Sequence, residues 1–122
     1  MTAGRVLIVD DERSMQEFLE IFFRSEGYDV VTAGDVASGR LHLENDEFDV
    51  LITDIQMPDG SGLDLLHATQ EMAPDTLVVM ITAFDSEQAR QQALDAGARA
   101  FLNKPVQTDR LLEVIEDAVG TG

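Results

Sequence analysis

The chain has 122 residues and contains neither cysteine nor tryptophan. Without cysteine it can form no disulfide, thiolate nucleophile or zinc–thiolate centre, and without tryptophan it has no indole ring to stack on a flavin. The N-terminal segment also lacks a long apolar run, since only Val6–Val9 precede a pair of aspartates. We therefore expect neither a signal peptide nor a membrane span, and a cytoplasmic location.

Positive charge is scarce as well. Eight lysine and arginine residues stand against 24 aspartate and glutamate residues, which gives a formal net charge of −16. A domain this acidic is not expected to bind nucleic acid or an anionic membrane by itself, so its partners should be basic surfaces or proteins. Lys104 is the only lysine, in a chain that otherwise uses arginine for its positive charge.

Apolar runs rich in valine, isoleucine and leucine alternate with helical patterns along the chain. This alternation is typical of βαβ units and of a parallel sheet covered on both faces. The predicted strands are Arg5–Asp10, Tyr28–Ala33, Asp49–Asp54, Thr76–Thr82 and Arg99–Asn103. We expect an α/β fold, a flavodoxin-like (βα)5 doubly wound sandwich with a five-stranded parallel sheet in the order 2-1-3-4-5. One domain should span residues 1–122, with a core of about 4–119.

Apolar spacing predicts the core-facing side of two helices. In the first helix the pattern i, i+3, i+4, i+7 is formed by Met15, Phe18, Leu19 and Phe22. In the last helix a similar stripe is formed by Leu111, Leu112, Ile115 and Val119. Such a stripe is typical of a helix packed against a sheet. Accordingly, we interpret the aromatic rings of the first helix, Phe18, Phe22 and Phe23, as core and helix-edge packing and not as a binding patch.

The fourth helix, near Ser86–Ala96, is rich in alanine and has only Leu94 as a large apolar residue. It should bury little area, and an element of low local stability is a candidate for movement. Gly27 and Gly97 stand where the first and fourth helical patterns stop, and we predict that they end these helices with a left-handed backbone conformation.

Polar side chains stand at the ends of four of the predicted strands. Asp10 ends the first strand and Asp11 follows it, Asp54 ends the third, Thr82 ends the fourth, and Lys104 follows the fifth. The carboxyl ends of parallel strands open on one edge of a sheet, and ligands bind there where the strand order reverses, between strands one and three. This topology alone places the three aspartates together.

Three adjacent carboxylates need a positive partner. Two carboxylates about 5 Å apart repel by roughly 3 kcal/mol at an effective dielectric constant near 20. Mg²⁺ suits a pocket of carboxylate oxygens, and Mn²⁺ accepts similar ligands. A carboxylate such as Asp54 can attack phosphorus and form an aspartyl-phosphate, while the metal and Lys104 neutralise charge on the transferred oxygens. The Thr82 hydroxyl could donate a hydrogen bond to the product.

The residues at these strand ends form recognisable motifs. The motifs are Val9-Asp10-Asp11-Glu12, Thr53-Asp54-Ile55-Gln56-Met57-Pro58, Gly60-Ser61-Gly62, Ile81-Thr82-Ala83 and Phe101-Leu102-Asn103-Lys104-Pro105. With them the chain resembles, over essentially its full length, a response-regulator receiver domain of two-component signalling. The resemblance implies a phosphoacceptor signalling domain that promotes only its own phosphorylation and dephosphorylation, and so is not an enzyme acting on other substrates.

The resemblance also implies roles for the site residues. Asp54 would accept the phosphoryl group from a sensor histidine kinase. Mg²⁺ or Mn²⁺ would be bound by Asp11, Asp54 and the backbone carbonyl of Gln56, with Asp10 helping through water or directly. The phosphoryl group would be held by Lys104, Thr82 and the backbone amide of Ala83. Lys104 precedes a proline, and an X-Pro bond can be cis and direct the side chain.

The resemblance further implies an output face made of the fourth helix, fifth strand and fifth helix. Thr82 would move toward the phosphate and the ring of Phe101 would turn inward, which shifts the population toward an active arrangement. This face would control an output domain or effector protein, and phosphorylation-dependent dimerisation stays open there. A bulky ring at Phe84 is expected to screen the acyl phosphate from water and slow its loss.

Three alternative functions are considered. A haloacid-dehalogenase-like phosphatase also uses an aspartyl-phosphate, Mg²⁺ and a lysine, but it requires Asp-x-Asp after the first strand, where this chain has Asp10-Asp11-Glu12. A flavodoxin-like FMN carrier shares the topology, but the acidic rim would repel the flavin phosphate. A protein-interaction module that is never phosphorylated would not need the complete set of acids, hydroxyl and lysine. The sequence leaves open the cognate kinase, the stimulus, the output and whether the chain is part of a longer protein.

Overall fold

The computed structural model describes residues 3–83 and 86–119. Apart from two short strands that follow the third strand, strands and helices alternate through this part of the chain. They are β1 (Gly4–Val9), α1 (Arg13–Ser25), β2 (Tyr28–Ala33), α2 (Val36–Asn45), β3 (Val50–Thr53), β4 (Gln56–Met57), β5 (Gly60–Ser61), α3 (Gly62–Met72), β6 (Leu77–Thr82), α4 (Glu87–Asp95), β7 (Ala100–Asn103) and α5 (Thr108–Val119). No helix in these two ranges has both the length and the apolar character needed to span a bilayer.

Five strands form one sheet in the order β2-β1-β3-β6-β7, and every neighbouring pair is parallel. The register places Val9 of β1 opposite both Ala33 of β2 and Thr53 of β3. Strands β1 and β3 therefore end side by side. When the two-residue strands β4 and β5 are left out of the count, this is the predicted order 2-1-3-4-5, and the prediction of a doubly wound sheet is confirmed.

Alternating side chains of the central strands build a core on each face of the sheet. Leu7 and Val9 of β1 face one side, where buried residues of α2, α3 and α4 pack against them. Val6 and Ile8 face the other side, where buried residues of α1 and α5 complete the core. All four side chains are 0% exposed. This division of helices between two faces is the reason that the strands are apolar at almost every position.

The core-facing stripe of α1 differs from the prediction. Leu19 and Phe23 are buried, and Met15 and Phe22 are partly buried against the same cluster. Phe18 is 45% exposed, so its interpretation as a core residue was wrong. The stripe observed follows positions i, i+4, i+7 and i+8, which turns the helix axis enough to leave Phe18 on the flank. In α5 the predicted Leu111 and Ile115 are fully buried, Leu112 is half-buried and the side chain of Val119 lies outside the described residues.

The fourth helix meets the sheet through small side chains, as the sequence predicts. Its buried residues are Ala89 and Ala93. The guanidinium of Arg90 donates a hydrogen bond to the backbone carbonyl of Phe101 at 3.2 Å and so ties α4 to β7. Gly27 and Gly97 follow α1 and α4 with φ angles of 93° and 111°, which confirms their predicted role in ending these helices.

A short hairpin between β3 and α3 is absent from the sequence prediction. It pairs Gln56 with Ser61 and Met57 with Gly60, and Asp59 stands in its turn. The Asp59 carboxylate accepts hydrogen bonds from the first two backbone N–H groups of α2, those of Val36 at 2.8 Å and Ala37 at 3.0 Å. The hairpin therefore caps a helix that precedes it in the chain.

Capping by Asp59 predicts a pH-dependent contribution to stability. The N–H groups of Val36 and Ala37 hold the pKa of Asp59 below its ordinary value of 3.8. A group whose pKa is lower in the folded state than in the unfolded chain stabilises the fold when the pH is above its ordinary pKa. This stabilisation is lost as the pH falls through the pKa of the folded state. We expect Asp59→Ala to lower the melting temperature by a few degrees at pH 7. The difference in melting temperature between the variant and the parent protein should become smaller below pH 3.8.

Thermal unfolding followed by circular dichroism across this pH range measures the effect. The matched control is Asp75→Ala, because Asp75 is also an exposed aspartate in a loop, the one after α3. If the difference in melting temperature between the parent and Asp59→Ala stays constant from pH 7 to pH 3, the charge of Asp59 does not contribute to the cap.

Candidate functional site

The predicted rim exists at the carboxyl ends of β1 and β3. The carboxylates of Asp10, Asp11 and Asp54 each offer an oxygen within 4.8 Å of the others. Asp10 and Asp54 are buried, at 3% and 7% exposure, whereas Asp11 is exposed. The three residues come together because the two strands are neighbours and end at the same level. The topological argument from the sequence is therefore confirmed for these three side chains.

Backbone hydrogen bonds hold the two buried aspartates in place. The N–H of Asp10 donates to the carbonyl of Ala33 at 3.0 Å, and the N–H of Asp54 donates to the carbonyl of Val9 at 3.1 Å. These bonds extend the sheet ladder by one residue beyond each strand. The Asp54 Oδ1 atom accepts from the N–H of Gln56 at 3.2 Å. The main chain thus fixes the carboxylates before any ligand binds.

Lys104 is the positive centre of the rim. Its Nζ atom lies 2.9 Å from Asp10 Oδ2, 2.9 Å from Asp54 Oδ2 and 2.9 Å from Glu12 Oε1. The peptide bond between Lys104 and Pro105 is cis. The lysine follows β7, on the far side of β6 from the aspartates, and its long side chain crosses the rim to reach them.

Burial and ion pairing shift the pKa values of two of these groups in the same direction. Burial raises the pKa of Asp10, although the N–H of Glu12 and the ammonium of Lys104 partly oppose the shift. Burial alone would lower the pKa of Lys104, but its hydrogen bonds to Asp10, Asp54 and Glu12 outweigh burial and raise it. Lys104 therefore stays protonated at neutral pH and can act as a fixed cation.

The other predicted site residues lie near this cluster. Thr82 ends β6, is 1% exposed, and its carbonyl accepts a hydrogen bond from the N–H of Lys104 at 2.9 Å. Ala83 follows it and is exposed. Gln56 is held against Asp54 through its N–H. Phe101 is 4% exposed and packs in the core beneath α4. Phe84, which was expected to screen the acyl phosphate, lies outside the described residues.

The donor set suits a hard divalent cation. All of its candidate atoms are carboxylate oxygens, two of the three side chains are buried, and Lys104 supplies only one positive charge against them and Glu12. An excess of negative charge in a partly buried cluster favours binding of Mg²⁺, which takes oxygen ligands and keeps some of its waters. The residues at the rim therefore fit the metal that the sequence predicts.

The family model described as "Response regulator receiver domain" matches residues 6–116. The chain belongs to this receiver family. Among the relatives of the receiver is the response regulator protein PilR of Pseudomonas aeruginosa, which is 44% identical over 119 residues. The match covers 98% of the receiver and 27% of PilR, so the receiver spans about a quarter of this relative's length.

Solved receiver structures share the fold. The beryllofluoride-activated NtrC4 receiver domain dimer is 35% identical to the receiver, with a TM-score of 0.88 over 93% of it and 94% of the NtrC4 chain. A chain of the CheX–CheY–BeF3–Mg²⁺ complex of Borrelia burgdorferi is 29% identical, with a TM-score of 0.90 over 98% of the receiver and 92% of that chain. The likeness extends over nearly all of the receiver.

Two residues of the receiver's site have functions that the sequence analysis did not assign. Glu12 contacts Lys104, but the sequence shows only that it follows the aspartate pair. Gly62 begins α3, and a Cβ atom placed on it would lie 1.9 Å from the carbonyl oxygen of Asp54. Both residues belong to motifs that the sequence displays, yet the distances that give them a role arise only from the fold.

Proposed function

We propose that the receiver accepts a phosphoryl group on Asp54 from a sensor histidine kinase in a reaction that depends on Mg²⁺. The observation that carries this proposal is the contact of Asp54 with the only lysine of the chain, beside two further aspartates. The Asp54 carboxylate accepts a hydrogen bond from the backbone N–H of Gln56 and has the Lys104 ammonium 2.9 Å away. Such a carboxylate can attack phosphorus while the charge on the transferred oxygens is neutralised.

In the transfer, one carboxylate oxygen of Asp54 forms a bond to phosphorus. The phosphorus–nitrogen bond of the phosphohistidine breaks, and its electron pair returns to the imidazole nitrogen. Lys104 would bind an oxygen of the moving phosphoryl group, and Thr82 and the backbone amide of Ala83 would donate hydrogen bonds to the others. This assignment is supported by the position of Thr82, whose backbone carbonyl accepts a hydrogen bond from the N–H of Lys104.

Asp10, Asp11, Asp54 and the backbone carbonyl of Gln56 would hold the Mg²⁺, and Mn²⁺ could replace it. When bound, the metal neutralises negative charge on the carboxylates and on the phosphoryl oxygens. The similar chain of Borrelia burgdorferi was solved in a complex with BeF3 and Mg²⁺. That precedent supports a metal at the acidic rim of this receiver.

We further propose that phosphorylation alters the face made of α4, β7 and α5. The support is the weak anchoring of α4, through Ala89 and Ala93, next to the strand β7, which ends one residue before Lys104. The face would control an output domain or effector protein, since the receiver spans about a quarter of PilR. The NtrC4 receiver was solved as an activated dimer, which supports a phosphorylation-dependent dimer here. The proposal includes one domain over residues 1–122, a cytoplasmic location, and no direct binding of nucleic acid or membrane.

Membership of the receiver family argues against two of the alternatives: the enzyme, a haloacid-dehalogenase-like phosphatase, and the cofactor carrier, a flavodoxin-like FMN protein. An interaction module that is never phosphorylated stays as the competing function. It differs from the proposal in one measurable property, the chemical competence of Asp54.

The test is the intact mass of the protein after incubation with acetyl phosphate and Mg²⁺. We expect a single phosphoryl adduct that is absent without the metal and absent in Asp54→Asn, because the amide is not a nucleophile for this transfer. The matched control is Asp64→Asn, since Asp64 is exposed in the first turn of α3 and should leave the adduct unchanged. An adduct that persists in Asp54→Asn, or no adduct in the parent protein, would refute the proposal.

A further inference from the structure

Glu12 stands immediately before α1, at the position whose side chain often caps a helix. Its backbone is extended, with φ −88° and ψ 117°, but its side chain makes no capping hydrogen bond. The N–H of Glu12 donates to Asp10 Oδ1 at 2.9 Å, which fixes the residue beside the acidic cluster. The Glu12 carboxylate instead accepts a hydrogen bond from Lys104 Nζ, 92 positions along the chain, at 2.9 Å.

The Lys104 ammonium carries three N–H donors. Three carboxylates, those of Asp10, Glu12 and Asp54, each lie 2.9 Å from its nitrogen. The number of acceptors therefore equals the number of donors. A phosphoryl oxygen can take a hydrogen bond from Lys104 only if one of these carboxylates gives up its own.

The three carboxylates differ in how easily they can release the ammonium. The side chains of Asp10 and Asp54 are 5% and 9% exposed, whereas the side chain of Glu12 is 58% exposed. A buried carboxylate that loses its partner stays poorly solvated, which is unfavourable. A carboxylate already in water is solvated at once, and its ion pair contributes little. Glu12 is therefore the partner that leaves.

We propose that Glu12 is a positioning residue that holds Lys104 at the rim before the reaction and releases it to the incoming phosphoryl group, so that it slows phosphorylation of Asp54. The inference rests on the proposed function. With acetyl phosphate as donor, an Asp54 oxygen bonds to phosphorus, the bond from phosphorus to the acetyl oxygen breaks, and acetate leaves with the electron pair. Glu12 forms no bond to the donor and acts only through Lys104.

The first measurement is the rate of adduct formation from acetyl phosphate and Mg²⁺ in Glu12→Gln. Removing the charge weakens the hold on Lys104 and also removes one negative group from the path of an anionic donor. We expect the rate to rise about two- to fivefold, the range expected for loss of one exposed ion pair. The matched control is Glu17→Gln, because Glu17 lies on α1, the helix that Glu12 precedes, is 63% exposed and pairs only with Arg13 among the described residues. Its rate should equal that of the parent.

The second measurement needs no phosphorylation. Lys104 is the only lysine, so the protein has a single lysine ammonium signal in ¹⁵N NMR. In metal-free parent protein its hydrogens should exchange slowly with water, since all three are hydrogen-bonded. In Glu12→Gln we expect faster exchange and a broader signal, whereas Glu17→Gln should keep the parent signal.

The outcomes separate this inference from the proposed function. A faster rate together with faster hydrogen exchange in Glu12→Gln supports the inference. Adducts in all variants at equal rates, or a slower rate in Glu12→Gln, would overturn the role of Glu12 while leaving Asp54 as the phosphoacceptor. Unchanged hydrogen exchange in Glu12→Gln would overturn the pairing itself. Absence of any adduct in the parent protein would overturn both.

Discussion

Replacing Gly62 with alanine is expected to lower the free energy of unfolding by about 3 kcal/mol, the upper part of the usual range for an overpacked site. The added Cβ atom would lie 1.9 Å from the carbonyl oxygen of Asp54 and 3.2 Å from the Cα of Ile55. Both are main-chain atoms, so no side chain can rotate away to make room. Helix propensity alone predicts the opposite sign, because alanine is better than glycine in a helix by about 1 kcal/mol.

Urea unfolding of the metal-free protein measures this effect. The matched control is Gly34→Ala, where the added Cβ would meet only the side-chain Nε2 of Gln16 at 3.6 Å, an ordinary contact. We expect the control to change stability by less than about 0.5 kcal/mol. Because the clash moves the backbone of Asp54, Gly62→Ala should also form less phosphoryl adduct. Equal stability of the two alanine variants would show that α3 can shift away from Asp54 without loss.

Replacing Lys104 with methionine is expected to have the second large effect. The change leaves the buried carboxylates of Asp10 and Asp54 without the Lys104 ammonium. Loss of one member of a buried ion pair lowers the free energy of unfolding by several kcal/mol, and we expect about 3 kcal/mol here. It should also raise the pKa of Asp10 further, because Lys104 opposes the effect of burial on that group. Mg²⁺ should recover part of the stability, since it supplies the missing positive charge. Adduct formation should fall by about 100-fold or more.

Urea unfolding in chelator and in saturating Mg²⁺ distinguishes these contributions. The control is Lys104→Arg, which keeps the charge but replaces a compact ammonium with a planar guanidinium. We expect this variant to retain most of the stability and still to lose adduct formation. If Lys104→Met unfolds at the same urea concentration as the parent in chelator, the lysine is not needed to balance the acidic rim.

The sequence predicts the fold well because its two periodicities are clear. Apolar runs that end in Asp10 and Asp54 mark two central strands. No end of the five strands in the main sheet differs from its predicted limit by more than one residue. The predicted stripe of α1 was less accurate, since six apolar residues within the nine positions 15–23 allow more than one helix orientation. Packing of Phe23 against Tyr28, with ring centroids 5.5 Å apart, selects the orientation observed. That contact joins two elements and is not visible in the periodicity of either one.

The site could be predicted only where topology alone brings residues together. Asp10, Asp11 and Asp54 follow neighbouring strands, so the strand order is enough to place them. Glu12 and Asp59 act through side chains that cross to other parts of the molecule, on Lys104 and on the start of α2. Their partners depend on loop geometry, which a pattern of residue types does not encode.

The anchoring of α4 through methyl groups has a mechanical consequence. If α4 packed through a large side chain, a rotation of the helix would leave an empty cavity where that side chain had been. The free-energy cost of such a cavity rises with its volume. The buried residues Ala89 and Ala93 present only methyl groups to the rest of the core. The helix is also tied to β7 by the hydrogen bond from the Arg90 guanidinium to the backbone carbonyl of Phe101. A rotation of α4 would therefore leave no large cavity behind. The proposed switching of the α4–β7–α5 face would therefore need little free energy at this helix.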